Sequence, residues 1–287
     1  MVSWKRKQAK EQLNIKEKNG VVWLSFPALE ESGLVSHSFT TRTGGVSEGI
    51  FASMNFSFSR GDDPEHVMEN YRRMAEILDT APENMVLSYQ THTTHVRRVT
   101  EADKGKGIVC PRDYQDVDGL ITNIPGITLV TFYADCVPLY LLDPVHRAIG
   151  LSHSGWRGTV NRMGQKTLDA MRENYGTSPE EVIACIGPSI CRDCFEVGGE
   201  VVEEFRKEFD KSWHDSLFYQ KENGKYQLDL CKVNLWLANE IVFAEAGVKK
   251  ENIHTTDICT HCNPELLFSH RTTGNERGNL AAFLKLK

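Results

Sequence analysis

Three residues of metal-ligating type stand in short apolar settings along this chain: His92 in SYQTHTTHV, Cys136 in FYADCVPLYLLD and His153 in IGLSHSGWRG. One thiolate and two imidazoles suit zinc, and three protein ligands rather than four leave a coordination position for water or substrate, the mark of a catalytic site. The same donor set is the core of a blue-copper centre, so copper stays open. Cys136 also has two readings without metal: a small buried hydrophobe, or a nucleophile with His153 as its base.

The three residues are far apart in sequence, so strands must bring them together. ITLVTFYADC, VPLYLLD and RAIGLSHS read as successive buried strands, which puts Cys136 and His153 near the ends of neighbours. Further strands are expected at 34–40, 85–89, 95–100, 120–122, 182–186, 253–256 and 266–269. Asp63-Pro64 caps a helix carrying Val67, Tyr71, Met74 and Leu78 at helical spacing, and others are expected over 159–175, 199–209 and 232–246. Hairpin-like strand neighbours mixed with single helices favour an α+β fold over a regular βαβ repeat. No phosphate loop of the glycine-rich type is present.

The 287 residues, 40% hydrophobic and 25% charged, are enough for a large core. A net charge of −6 gives no broad basic surface for nucleic acid. The opening segment, 1–20, is locally basic and is expected to be a flexible leader, with 21–287 as a single catalytic domain. It lacks the apolar core of a signal peptide, and the most apolar run, 127–142, is broken by Asp135 and Pro138, so a soluble cytoplasmic protein without membrane contact is expected. In that setting eight cysteines read as thiols or ligands rather than disulfides.

Arg42, followed by Gly44-Gly45, is set where a tight loop can bring backbone N–H groups and a guanidinium to one anion. Arg157 and Arg271 could complete a phosphate fork, with Ser53 and Asn55 as substrate hydrogen-bonding partners. Each has a structural alternative: Arg157 pinning a helix start, Arg271 in a surface ion pair, Ser53 and Asn55 capping turns. Asp118 and Asp135 are acidic candidates. If Cys136 points at a metal, alternation sends Asp135 away, so orienting a histidine or holding structure suits it better than proton transfer.

TTRTGGVSEGIFASMNF, QTHTTHV, VDGLIT, ADCVPLYLLD, GLSHSGWRGTV, CIGPSI, CFEVG, DICTHC and FSHRTTGNERGNLAAFL occur in the order characteristic of one family. From about Ser36 to Leu286 the chain resembles the polyphenol oxidase or multicopper laccase-domain family, associated with purine nucleoside phosphorylase activity. The resemblance implies a layered α/β/β/α sandwich with mixed sheets and assigns the metal ligands to His92, Cys136 and His153. It favours His92 over His95, although Thr93 stands where the family usually has glycine. Cys191-x-x-Cys194 and Cys259-x-x-Cys262 have the spacing of a closed zinc site, but the resemblance carries no second metal.

Three activities follow as expectations. The first is zinc-dependent phosphorolysis of adenosine or inosine, and of methylthioadenosine, to the base and ribose 1-phosphate, with nucleoside and phosphate as partners and adenosine deamination as a side activity. The second is copper-dependent oxidation of phenols, against which stand only ten histidines and no H-x-H pair. The third is a Cys136–His153 amidase or hydrolase of cell-wall precursors.

Overall fold

The computed structural model describes residues 3–8, 12–219 and 231–287. Its organising element is the C-terminal strand Leu280–Leu286, buried along its whole length and paired antiparallel to both Val35–Thr40 and Thr128–Tyr133. Asn14–Lys18 and Val21–Ser25 extend this sheet at one edge and Met85–Leu87 at the other, giving six strands. A second six-stranded sheet runs Ile253–Thr255, Ile183–Ile186, Val137–Asp143, Ala148–Ser154, Gly119–Thr122, Val96–Arg98. Both are mixed, mostly antiparallel with a parallel pair at one or both edges. Glu196–Val197, Cys231–Val233 and Phe218–Tyr219 form a small separate sheet.

Alternation along the strands builds three apolar layers. Leu280, Ala282 and Leu284 meet Tyr140, Leu142, Ile149 and Leu151 between the two sheets. On the outer face of the first sheet Ala281 and Phe283 pack on Val67, Tyr71 and Met74 of the helix Pro64–Leu78. On the outer face of the second, Val137, Leu139 and Leu141 meet Met163 and Leu168 of Met163–Tyr175 and Ile241 and Phe243 of Leu235–Glu245. The result is an α/β/β/α sandwich in a single domain, as expected.

Local chemistry explains where the elements depart from expectation. The boundary at residue 20 falls within a hairpin: Asn19 and Gly20 both take positive φ, the two-residue turn that matches strand twist, so the second half of the expected leader is a strand. Residues 3–8 are also held, since Arg6 donates to the buried Asp257 carboxylate at 2.5 Å and Lys5 N–H to Asn263 Oδ1 at 2.8 Å. The helix expected over 159–175 is two, Trp156–Val160 and Met163–Tyr175, because Arg162 turns left-handed (φ 61°) to reach Glu208 and Glu245. The helix expected over 232–246 starts at Leu235, where the Asn234 side chain accepts from Leu237 N–H. Residues 266–269 form no strand. Leu266 and Leu267 N–H close turns on the Asn263 carbonyl, and Leu267 and Phe268 anchor the loop in the core. Among the described residues no helix is long and apolar enough to cross a membrane.

Candidate metal centre and its cavity

Cys136 lies in the turn that leaves Thr128–Tyr133 and enters Val137–Asp143. In the adjoining strand Pro138 pairs with His153, so the turn carries the thiol to the end of the strand that presents the imidazole. Gly119 pairs with Ser152 and His153 N–H donates to the Asp118 carbonyl at 2.8 Å, which places Asp118 beside His153. The third residue, His92, follows Met85–Leu87 in a loop bound to Phe132: Gln90 Nε2 donates to the Phe132 carbonyl and Phe132 N–H to Gln90 Oε1.

The Asp118 side chain, fully buried, organises both histidines. Its Oδ2 accepts from His153 Nδ1 at 2.7 Å, and its two oxygens accept from the backbone N–H groups of Thr91, His92 and Thr93 at 2.9 to 3.1 Å. Three amides gathered on one carboxylate fix a turn without glycine after the histidine, and His92 itself takes the positive φ of 66°. With Nδ1 engaged by Asp118, Nε2 is the nitrogen that His153 can offer to an ion, once the ion displaces its proton.

The ligand atoms of His92, Cys136 and His153 all lie within 4.8 Å of one another. His153 is buried, Cys136 half-buried and His92 exposed, so the cluster is reachable from solvent. Burial alone would raise the Cys136 thiol, but the facing His153 and His92 imidazoles bring it down to about 6. His153 rises to about 9 against its burial, because Cys136 and Asp118 both face it. Asp118 stays below the ordinary carboxylate range despite its burial, held there by His153 and the loop amides. A thiolate, an oriented imidazole and a second imidazole fit a borderline or soft divalent ion, zinc and copper alike. His95 is outside this group, its Nδ1 against the Asp116 carbonyl.

The cluster lines one side of a cavity of about 930 Å³. Of the expected anion-binding residues only Arg271 lines it; its N–H donates to Asp135 Oδ2 at 2.6 Å and its guanidinium to the Glu196 carbonyl at 2.8 Å. Arg42 does not: it donates to the carbonyls of Ala52 and Pro264 and lies over the Phe268 ring, bracing two loops. Arg157 is exposed and stacked on Trp156. Ser53 Oγ is bonded to the Arg42 carbonyl and Gly45 N–H. Asn55 reaches Asp62, Ser57 and Asn279 N–H. Ser53 and Asn55 therefore hold turns together, the alternative open in the sequence.

Arg60 and Arg277 line the cavity instead, and neither stands out in the sequence. Both guanidiniums donate to Asn279 Oδ1. Arg277 is 8% exposed, its Nε is buried without a hydrogen-bond partner, and burial followed by the nearby Arg60 charge pulls it down to about 10. Their other hydrogen bonds go to the Gly278 and Asn275 carbonyls, so neither guanidinium is hydrogen-bonded to a carboxylate, although Asp135 and Cys136 act on Arg277 from a distance. Arg277 lies inside FSHRTTGNERGNLAAFL, but Arg60, before Gly61, reads in sequence as an ordinary loop arginine.

The family model described as multi-copper polyphenol oxidoreductase laccase matches residues 36–287. A purine nucleoside phosphorylase of Bacteroides thetaiotaomicron is 37% identical over 258 residues, covering 90% of this chain and 93% of that protein. The adenosine deaminase RL5 of an unknown prokaryotic organism is 33% identical over 247 residues, covering 84% and 90%. The crystal structure of YlmD from Geobacillus stearothermophilus superposes with a TM-score of 0.85 at 30% identity, over 97% of this chain and all of that one.

Proposed function

The chain belongs to the multi-copper polyphenol oxidoreductase laccase family, and on that premise we propose that it is a zinc-dependent purine nucleoside enzyme. It splits adenosine or inosine, and methylthioadenosine, with phosphate to give the base and a ribose 1-phosphate, and it deaminates some adenosine. The observation that carries the reading is one cavity lined both by three residues able to ligate a metal ion and by the Arg60–Arg277 pair. Similarity to proteins named for each of the two activities supports the substrate class.

His92, Cys136 and His153 would hold a divalent ion, which would supply Lewis acidity to the cavity. Arg277 and Arg60, whose side chains line the cavity, bind the phosphate dianion through their guanidiniums. Arg271 adds charge at the rim. Phe132, Tyr133 and Trp156 offer aromatic faces to a flat purine. Asp118 keeps the Nδ1 proton on His153 and holds the His92 loop in place.

Chromatography of the products from adenosine with and without phosphate tests the proposal. Base and ribose 1-phosphate that appear only with phosphate support it, whereas inosine alone, with or without the anion, reduces the enzyme to a deaminase. The depressed Cys136 thiol beside His153 favours one second reading, the amidase. Full hydrolysis of an amide-linked precursor by metal-stripped protein would establish that reading in place of the first.

A further inference from the structure

Ile183–Ile186 and Ile253–Thr255 pair in parallel, so the loops that follow leave the sheet side by side. Ser189 bridges to Cys259, and Thr260 N–H donates to the Ser189 carbonyl at 3.1 Å. Each loop carries one C-x-x-C pair, and the Sγ atoms of Cys191, Cys194, Cys259 and Cys262 all lie within 4.8 Å of one another. We propose that these four cysteines bind a second zinc ion, in a closed structural site separate from the His92–Cys136–His153 cluster.

The geometry favours an ion over disulfides. Zinc bonds of ~2.3 Å in a tetrahedron place sulfurs about 3.8 Å apart; Cys194 and Cys262 Sγ are 3.5 Å apart, against ~2.05 Å in a disulfide. A backbone donor is aimed at sulfur. Cys191 N–H donates to Cys259 Sγ at 3.2 Å. Lys7, paired with Asp193, brings a positive charge toward Cys191 and Cys262. Cys191 and Cys259 are buried and Cys194 and Cys262 half-buried, as suits a site without an open coordination position.

Such an ion would fasten one wall of the substrate cavity. Ile190 and Phe195, which flank the first pair, line that cavity. Between the second pair, Thr260 Oγ1 donates to Asp135 Oδ1 at 2.6 Å, and Asp135 precedes Cys136 and receives Arg271 N–H.

The test uses the full chain with Cys136→Ser, which disables the first centre, purified with zinc in the growth medium and no chelator. Elemental analysis should give one zinc per chain, and X-ray absorption at the zinc edge should give four sulfur scatterers near ~2.3 Å. Adding Cys194→Ser and Cys262→Ser should abolish that zinc. Should this last variant fail to fold, alkylation of the folded Cys136→Ser protein before and after chelation still decides. Cys191, Cys194, Cys259 and Cys262, mapped by peptide mass, should become reactive only after the chelator removes zinc. Disulfides, a zinc-free protein, or a zinc edge with nitrogen and oxygen scatterers would each overturn the proposal.

Discussion

Asp118 Oδ2 stands 2.7 Å from His153 Nδ1, and the same carboxylate binds the amide of His92, so one acid holds two candidate metal ligands from different elements. Replacing it with asparagine keeps the shape but loses the charge and one of the two acceptor oxygens, so His153 Nδ1 and the three loop amides can no longer all be satisfied. Asp118→Asn should weaken metal affinity by about 10- to 100-fold, the usual cost of losing such a partner. Competition with a chelator of known affinity measures this. Unchanged affinity would leave Asp118 a purely local turn-former.

Cys136→Ala should release the metal of the cavity and abolish turnover of adenosine, while the metal-stripped variant unfolds at nearly the temperature of the metal-stripped parent. The side chain is half-buried at a strand entrance, and the apolar contacts of Val137, Leu139 and Leu141 remain. Elemental analysis, product chromatography and a melting curve check the three parts. Retention of full activity would move the chemistry elsewhere in the cavity.

Arg277→Gln should raise the Michaelis constant for phosphate by about 10- to 100-fold, as expected for one charge-assisted hydrogen bond of ~1.5–3 kcal/mol. Arg42→Ala should leave that constant alone and lower the melting temperature, since its guanidinium braces Ala52, Pro264 and Phe268. The opposite pattern would restore Arg42 as the phosphate ligand.

The contrast between these two arginines marks what sequence can carry. Cys136 and His153 are legible because each closes a continuous apolar run, and buried neighbouring strands bring run ends together. Arg42 looks like an anion ligand because glycines follow it, yet a guanidinium is as well matched to backbone carbonyls, and only the tertiary course of the 264–268 loop decides which it meets. Arg60 and Arg277 are far apart in sequence and gain meaning only when both reach Asn279. The α+β class was legible from mixed strands and helices and the layering only through the family resemblance, but Leu280–Leu286, buried on both faces, shows no alternation to announce it, and the hairpin at Asn19-Gly20 was hidden behind the basic composition of its first strand.

His37 gives the stability a pH dependence of definite sign. It is buried between the sheets, where its Nε2 accepts from Phe26 N–H at 2.8 Å, and burial pushes it down to about 4. Above pH ~6.5 both folded and unfolded chains hold it neutral; below that the unfolded chain takes up a proton that the folded chain refuses until pH ~4. Stability should therefore fall by about 3 kcal/mol across this window. Urea unfolding of the metal-stripped Cys136→Ala protein, kept in chelator between pH 7 and 4.5, reads the slope free of both metal clusters. His37→Gln, which keeps an acceptor for Phe26, should flatten it; an equal slope would assign the acid sensitivity to other groups.

Gly155 tests how tightly the cluster is built. Its φ of −71° and ψ of −179° are open to any residue, so alanine introduces no backbone strain. A Cβ there, however, would stand 3.0 Å from His92 Cδ2 and 3.1 Å from Cys136 Sγ, so both ligands must shift by a few tenths of an ångström. A coordination sphere tolerates such displacement poorly, whereas His92 is exposed and can yield without disturbing the core. Gly155→Ala should thus weaken metal binding and slow turnover while the metal-stripped protein melts close to the parent. A variant that binds metal as tightly as the parent would mean that His92 is held loosely and that its place in the cluster is adjustable.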